Sequence, residues 1–458
     1  MALPGSYPRS VDARRSDNTA TAPKFLIGTA KFAEHGDHPK IMFDAGNVIN
    51  PHVILAGGSG TGKTHRLRDF ISRAVHSSPN VHFHVIDVHG DITVPGESVV
   101  KFSDASPYGL NALRVSPDPN FGGVRKRMRS FVTMLNRTSV KLGTKQEAAL
   151  NLALADMYEA AGFLVDNPLT WSVSFDPRSN PRKPKRQPNI SDLRYFCEMK
   201  LKQMMIGTSG EAHTALQALM RHYRSVERSS AAAASVGGEE DNEKLKVLKE
   251  ECKLLYAEFI DAVRTGKELD DLIRQSSKDV MKSVYERVIN LESTGIFKDA
   301  PPPFDPDAQV WRYDITAMNE DEKVMFTDVL LEDLFFQARQ RGIRPFADTY
   351  VVIDEANAVM SQDKDAIPNK VAREARKFGL GLWLASQSLE HYPDDIVTNT
   401  GTKVVLGIHE KFHEATARQL RIEAKRLGYI KPRRTALVQV VKQDGDTSNR
   451  FIDVVLPD

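Results

Sequence analysis

A glycine-rich segment that ends in Lys-Thr is the strongest chemical signal in this chain. Residues 57–64 read Gly-Gly-Ser-Gly-Thr-Gly-Lys-Thr, which matches the Walker A pattern in full. Glycines let the backbone turn tightly and aim N–H groups at a phosphate, and a following helix would present its positive end. The predicted nucleotide-binding residues are Gly57, Gly58, Ser59, Gly60, Thr61, Gly62, Lys63, Thr64 and His65.

Two side chains of this segment would act on a bound ATP·Mg²⁺. Lys63 would reach the β- and γ-phosphates, and the Thr64 hydroxyl would ligate Mg²⁺. An apolar strand pattern precedes the segment and a helical pattern follows it, which is the context that a phosphate-binding loop requires. The segment therefore predicts that ATP and Mg²⁺ are the cofactors.

Two adjacent acids follow an apolar run much later in the chain. Residues 350–353 predict a buried strand, and Asp354 and Glu355 come directly after it. Ligands of open α/β sheets bind at the carboxyl ends of strands, so both acids are expected beside the phosphate loop. Asp354 would hold Mg²⁺ through water, and Glu355 would polarise the water that attacks the γ-phosphate.

A second strand pattern, residues 83–87, also ends in an acid. No acid follows Asp87 directly, so we interpret Asp87, or Asp91 in the next turn, as a secondary contributor near the magnesium. Turn chemistry around Gly90 is an equal alternative, because Asp is common in turns.

Three histidines accompany the same strand pattern. His82 and His84 would share one face of the strand, and His89 follows it. A metal site is conceivable there. Polar residues on a partly exposed or interface face are the favoured interpretation, because no Cys or carboxylate set joins these histidines at ligand spacing.

Three further polar residues could complete a hydrolytic site. Residues 380–386 predict a strand that ends at Gln387, whose amide could bond the γ-phosphate or the attacking water; a surface glutamine is the alternative. Arg373 and Arg376 lie in a predicted helix, 371–378. Since the chain has one P-loop, either arginine could complete the site of a neighbouring subunit, while a solvated basic face is the alternative.

The composition of the chain limits which classes of function fit it. The chain has 458 residues, 41% of them apolar, and a net charge of +2, so attraction to nucleic acid must come from local basic patches. Cys197 and Cys252 form no CxxC pattern, which disfavours a disulfide framework or a zinc cluster and fits a reducing cytosol. No apolar run reaches the roughly 18 residues of a membrane span. We expect a cytoplasmic protein without a transmembrane segment, with peripheral docking on a membrane complex left open.

Strand and helix patterns alternate in two parts of the chain. This alternation predicts an α/β fold, a mostly parallel sheet with helices on both faces, interrupted by a large α-helical insertion. The predicted organisation is a disordered leader at 1–24, core at 25–120, the insertion with mobile loops at 121–304, and core again at 305–458. One loop, 176–188, carries the basic residues Arg182, Lys183, Lys185 and Arg186, for which a solvated linker is favoured over a contact with DNA.

Taken in order, several short motifs resemble the HerA/FtsK superfamily of DNA-pumping ATPases. The superfamily includes the VirB4 and TraG/TraD-like ATPases of conjugation and type IV secretion. The motifs are Walker A and residues 86–91, 108–113, 353–356, 373–379 and 385–387, and the resemblance covers 25–113 and 310–458.

This resemblance implies a RecA-like P-loop NTPase core, a hexameric ring and ATP-driven movement of DNA or protein through a central pore. It assigns hydrolysis to Lys63, Glu355 and Gln387, and it favours Arg376 over Arg373 as the arginine given to a neighbouring subunit. Only about 50 residues precede Walker A, so the N-terminal domains of HerA and VirB4 proteins are expected to be absent or very short.

Three functions are therefore weighed. The first is a hexameric motor that translocates DNA without reading its sequence. The second is a conjugation or type IV secretion ATPase that moves protein or DNA–protein cargo. Partner proteins from secretion or conjugation would fit the second function, and a nuclease partner would fit the first. The third, a nucleotide switch, is disfavoured because a switch needs no catalytic base such as Glu355.

Overall fold

The structure is a computed structural model of the chain. It describes residues 21–32, 36–176, 185–206, 210–236, 239–262, 278–361, 363, 365–390, 392–444 and 450–457. Residues 1–20 of the predicted leader and Arg182 and Lys183 of the basic loop lie outside the described residues.

The described residues form one sheet of eleven strands, in the order β2-β1-β11-β10-β9-β3-β8-β7-β4-β6-β5. The seven strands from β9 to β5 run parallel, and β10, β11, β1 and β2 add antiparallel neighbours on one side. The strands are β1 (Lys24–Ala30), β2 (Lys40–Asp44), β3 (Val53–Ala56), β4 (His82–Asp87), β5 (Ser98–Lys101), β6 (Val310–Asp314), β7 (Thr349–Ile353), β8 (Leu380–Ser386), β9 (Thr402–Val405), β10 (Thr435–Val440) and β11 (Ile452–Val455).

Helices account for most of the remaining regular structure. They are α1 (Lys63–Ser77), α2 (Val124–Asn136), α3 (Thr144–Ala160), α4 (Ile190–Ile206), α5 (Gly210–Val236), α6 (Glu239–Ala262), α7 (Lys278–Ser293), α8 (Glu320–Arg341), α9 (Ile367–Glu374), α10 (Asp394–Asn399), α11 (His413–Leu420) and α12 (Ala424–Gly428). None of the helices in the described ranges has both the length and the hydropathy that a membrane span needs.

Aromatic side chains fill both faces of the sheet. On one face the fully buried Trp383 of β8 meets Phe25 and Phe83 edge-on, with ring centroids 5.4 and 5.0 Å apart, and Phe70 of α1 stacks on Phe25 at 4.8 Å. On the other face Phe326 of α8 packs against Phe102 at 4.7 Å. Side chains alternate between the faces of a strand, so α1 and α8 cover opposite faces. The predicted α/β class, with helices on both faces, is confirmed.

The described residues form two compact units. The unit that contains the sheet comprises the described parts of 1–141, 161–190 and 291–458, and the second comprises those of 142–160 and 191–290. In the second unit α5 and α6 pack as an antiparallel pair, with Leu216 near the start of one against Phe259 near the end of the other.

The second unit is narrower than the predicted insertion, 121–304, because α2 belongs with the sheet. Arg127 of α2 is buried and donates to Glu332 at 2.8 Å and to Asp333 at 3.2 Å, both on α8. Phe297 likewise forms a bridge with Leu110. Helical periodicity alone does not reveal which unit a helix packs against, since these ion pairs span about 200 residues of sequence.

Strand order places the predicted chemical groups together at the carboxyl ends of three central strands. β8 lies between β3 and β7, with Ala56 opposite Ser386 and Ile353 opposite Leu384. The phosphate loop follows β3, the paired acids follow β7, and Gln387 follows β8. Because the three strands are parallel and adjacent, these groups emerge side by side.

A buried histidine ties three elements together at the opposite end of β3. His52 Nδ1 accepts from the Leu382 amide of β8 at 2.9 Å, and its Nε2 donates to the Ala372 carbonyl of α9 at 2.8 Å. Burial lowers the pKa of His52 to about 4, and the nearby Arg376 acts in the same direction. The imidazole is therefore neutral in the folded protein at neutral pH.

We expect the stabilising effect of His52 to fade as the pH falls from about 6.5 to about 4. The folded-state pKa is lowered, so the unfolded chain takes up this proton first, and stability present above pH 6.5 is lost on acidification. A shift of this size corresponds to about 3 kcal/mol at most. Denaturant unfolding of the wild type and of His52→Gln measures this, since their difference should shrink as the pH falls. A difference that stays constant would contradict it.

Candidate nucleotide site

The predicted phosphate loop is anchored to its neighbouring strands through backbone hydrogen bonds. The Gly57 amide donates to the Ser386 carbonyl at 3.0 Å, and the Gly58 amide donates to the Gly407 carbonyl at 2.7 Å. A Cβ added at Gly57 would lie 2.6 Å from Thr61 Oγ1, so a larger residue does not fit there.

The loop then turns into α1 through two glycines in the left-handed region. Gly60 has φ 74° and Gly62, the residue before α1, has φ 98°. No side chain caps the N-terminus of α1, and its first turn has no acidic residue. The first amides of α1 are therefore available to an anion beside Lys63, Thr64 and His65.

Lys63 stands between the loop and the paired acids. Its side chain is buried, its Nζ donates to the Gly57 carbonyl at 2.9 Å, and it lies 3.5 Å from Glu355 Oε1. A buried ammonium held by one carbonyl and one carboxylate can move to a stronger anion without leaving its place in the loop.

The two acids after β7 have different environments. Asp354 is almost fully buried, and its Oδ1 accepts from the Glu355 amide at 3.0 Å. Burial is the main cause that raises the pKa of Asp354 to about 6, and the negative charge of Glu355 acts in the same direction. A nearby cation would restore its charged form, which suits a group that faces a metal ion.

Glu355 is held in a conformation that few non-glycine residues adopt. Its φ is 47°, in the left-handed region, at the junction between β7 and the 3₁₀ turn Ala356–Ala358. Such backbone strain persists where surrounding structure fixes it and is concentrated at functional sites. Gln387 Nε2 lies 3.4 Å from each Glu355 carboxylate oxygen, so the two side chains lie next to each other.

These groups line a cavity of about 810 Å³. Of the predicted site residues, the cavity wall contains Gly58, Ser59, Gly60, Gly62, Lys63, Thr64, His65, Asp354, Glu355 and Gln387, joined by Arg66, His89, Asp91 and Arg433. Gly57 and Thr61 shape the loop from behind rather than lining the cavity. Of the predicted site residues, all except Gly57, Thr61 and Arg376 therefore line one cavity.

The two secondary acids have separate roles. Asp87 is fully buried, accepts from the amides of His89 and Gly90 at 3.2 and 2.7 Å, and pairs with Arg312 at 3.0 Å. Its hydrogen bonds hold the turn, as the turn interpretation expected, whereas Asp91 lines the cavity.

The two arginines considered for a neighbouring subunit's site lie away from this cavity. Arg376 and Arg373 are exposed, and Arg373 pairs with Asp395 at 3.4 Å. Neither lines the cavity of its own chain. The histidines singled out in the sequence also separate: His84 is buried and bonds the Tyr313 hydroxyl at 3.0 Å, while His89 lines the cavity.

Arg433 is a cavity residue that the sequence did not predict. It precedes β10, has φ 65°, and its Nε donates to the Gly60 carbonyl at 3.1 Å. Arg66 of α1 in turn donates to the Arg433 carbonyl at 3.3 Å. The pair of arginines before a strand pattern, 433 and 434, was visible, but nothing in the spacing connects residue 433 with residue 60.

The arrangement suits a phosphorylated ligand with a divalent cation. Backbone amides, Lys63 and Arg433 offer positive groups on one side, and Asp354 and Glu355 offer carboxylates on the other. Thr64 and Asp354 are the residues that could hold Mg²⁺, which prefers oxygen ligands and shared phosphate oxygens.

Comparison with known proteins shows the fold. No protein-family profile matches this sequence, and no curated protein matches it. The structure of VirB4 of Thermoanaerobacter pseudethanolicus matches with a TM-score of 0.59 at 15% identity, covering 96% of this chain and 97% of that one. The plasmid coupling protein TrwB in complex with the non-hydrolysable ATP analogue ADPNP matches with a TM-score of 0.50 at 13% identity, covering 89% and 86%.

The chain therefore has the RecA-like NTPase fold of these two proteins. The sequence resemblance to the group that includes VirB4 is confirmed at the level of the fold. The match to VirB4 extends over nearly the full length of both chains, so it includes the helical second unit as well as the sheet.

Proposed function

We propose that this chain is an ATP-hydrolysing motor of the HerA/FtsK type that moves DNA as a hexamer. The observation that carries the proposal is the cavity in which Lys63, the paired acids and Gln387 converge, with Lys63 Nζ 3.5 Å from Glu355 Oε1. A nucleotide switch needs the loop but not a carboxylate poised beside it.

In this proposal the γ-phosphate of ATP enters between Lys63 and Glu355. Lys63 exchanges the carboxylate for phosphate oxygens, to which it forms stronger charge-assisted bonds. Glu355 is then released to accept a proton from the attacking water, while the Gln387 amide orients that water. Mg²⁺, held by Thr64 and Asp354, would neutralise charge on the phosphates.

A second function uses the same motor at a conjugation or type IV secretion complex. The observation that favours it is the similarity to VirB4 and to TrwB, which is described as a plasmid coupling protein. Under this alternative the cargo is protein or a DNA–protein complex, and the chain docks peripherally on a membrane assembly. The two functions share the nucleotide chemistry and differ in cargo.

The experiment that tests the first function is ATP turnover with and without DNA, at low and moderate salt. We expect DNA of unrelated sequences to raise turnover, because phosphate contacts do not read sequence. Absence of both DNA binding and stimulation would rule out the DNA motor and leave the second function.

A mixing experiment tests the predicted ring. Arg376→Ala should lower turnover if Arg376 acts in a neighbouring site. Adding the inactive Lys63→Ala chain, which still carries Arg376, should restore part of the activity. No restoration in mixed assemblies would argue against a shared site.

Arg433 should contribute to nucleotide affinity. Its guanidinium, now on the Gly60 carbonyl, lies in the cavity wall and can transfer to a phosphate oxygen. We expect Arg433→Ala to weaken ATP binding by about tenfold to a hundredfold, as for a lost hydrogen bond to a charged group. Titration calorimetry checks this, with Arg434→Ala as the matched control, since Arg434 is exposed and lies outside the cavity wall. Equal affinities for the two variants would contradict it.

A further inference from the structure

A second cavity, of about 660 Å³, lies beside the antiparallel strands β10 and β11, and none of its lining residues belongs to the nucleotide cavity. Three arginines line it, Arg421 after α11, Arg426 of α12 and Arg450 before β11. Among the described residues that line it, Glu423 is the acidic one. The described side chains in the wall therefore carry a net positive charge.

Two of the three arginines have no carboxylate partner among the residues that the structure describes. Arg426 donates to Asp453 at 2.7 Å and to the Phe451 carbonyl at 3.1 Å, so its charge and its position are fixed. Within the described residues, the side chains of Arg421 and Arg450 have no hydrogen bond or ion pair. Glu423 forms an ion pair with Lys425 at 2.6 Å.

A buried cation stands behind the cavity wall. Lys403 of β9 is buried and donates to Gln439 Oε1 at 3.0 Å and to the Thr400 carbonyl at 2.7 Å. No carboxylate pairs with it among the described residues, and burial lowers its pKa to about 8. Gln439 lines the cavity, so one side chain separates the buried ammonium from the cavity.

The end of helix α11 fixes where Arg421 leaves the backbone, because Arg421 is the left-handed residue that closes the helix. The non-glycine residues with positive φ in the described chain are Glu355, Arg421 and Arg433. Two of them line the nucleotide cavity, and Arg421, at φ 55°, lines the second one. The Ile422 amide donates to the Ala417 carbonyl at 3.0 Å, so this helix end is held by its own backbone hydrogen bonds.

We propose that this second cavity binds phosphate groups of a nucleic-acid strand. Guanidinium groups pair with phosphate oxygens through two parallel hydrogen bonds, which favours phosphate as the anion. One phosphate ion would occupy a small part of 660 Å³, whereas a strand could place a sugar against the apolar wall residues Leu420 and Ile422. The choice of a nucleic acid rests on the proposed function, while the anion site rests on the cavity itself.

Binding of a fluorescently labelled single-stranded oligonucleotide, without nucleotide or Mg²⁺, tests this proposal. We expect Arg421→Ala/Arg450→Ala to weaken binding by about tenfold or more. The slope of log K against log salt should become shallower by about 1.4, for two lost phosphate contacts. Arg418→Ala is the matched control, because Arg418 is exposed on α11 but does not line the cavity. It should behave as the wild type.

Two outcomes would overturn the proposal. The first is a double variant with the same affinity and salt slope as Arg418→Ala, including the case in which neither binds the strand. The second is a double variant that no longer binds inorganic phosphate, as measured by ³¹P NMR, but binds the strand as the wild type does. That result would identify a site for free phosphate instead. ATP turnover of the wild type is measured separately, so failure of this site is distinguishable from failure of the nucleotide site.

Discussion

Replacing Glu355 by Gln should leave Mg²⁺·ATP bound while turnover falls by about 10²- to 10⁴-fold, the range for loss of a general base. The amide keeps the size of the side chain and its contact distance to Gln387, but it cannot accept a proton from water. Lys63 also loses its carboxylate partner at 3.5 Å, so ATP affinity should stay equal or rise.

Calorimetry for binding and phosphate release for turnover separate these two effects. Glu390→Gln is the matched control, because Glu390 is exposed three residues after Gln387 and lies outside the cavity wall. We expect that control to retain full turnover. If Glu355→Gln hydrolysed ATP at the wild-type rate, another group would have to be the base.

Replacing Lys63 by Ala should weaken ATP binding by about 10²- to 10⁴-fold, as expected for two lost charge-assisted hydrogen bonds. Lys63 is the buried cation closest to both the loop and the acids, through Gly57 and Glu355. Its removal also leaves the two carboxylates without a nearby counter-charge, which further disfavours a triphosphate.

Binding of a fluorescent ATP analogue, measured on Lys63→Ala and on the exposed control Lys442→Ala, tests this effect. Thermal unfolding without ligand shows whether Lys63→Ala still folds, because Lys63 also donates to the Gly57 carbonyl. If Lys63→Ala folded and bound ATP with unchanged affinity, the loop could not be part of the ATP-binding site.

Sequence reasoning located the parts of the site that lie where a strand pattern ends. Residues 351–353 form a continuous apolar run, and the whole of β7 is buried, so Asp354 and Glu355 could be placed at the carboxyl end of a buried strand. The same logic placed Gln387 after β8. Motif spacing and burial are both local properties, which a single sequence displays.

Other features depend on contacts between distant residues and left no local signal. Arg433 bonds Gly60, which lies more than 370 residues earlier in the sequence. His52 bonds α9 and β8, at positions 320 and 330 residues further along the chain. β1, β2 and β5 were not predicted as separate strands, and in β2 only Phe43 among the five residues is fully buried. Helix α2 was assigned to the insertion because its ion pairs with α8 cannot be read from periodicity.

A structure with Mg²⁺ and a non-hydrolysable ATP analogue tests the central claim most directly. The proposal predicts a terminal phosphate within about 3 Å of Lys63 Nζ, with Glu355 and Gln387 facing the position of the attacking water. An analogue bound elsewhere, with Lys63 still on the Gly57 carbonyl and beside Glu355, would contradict the proposal.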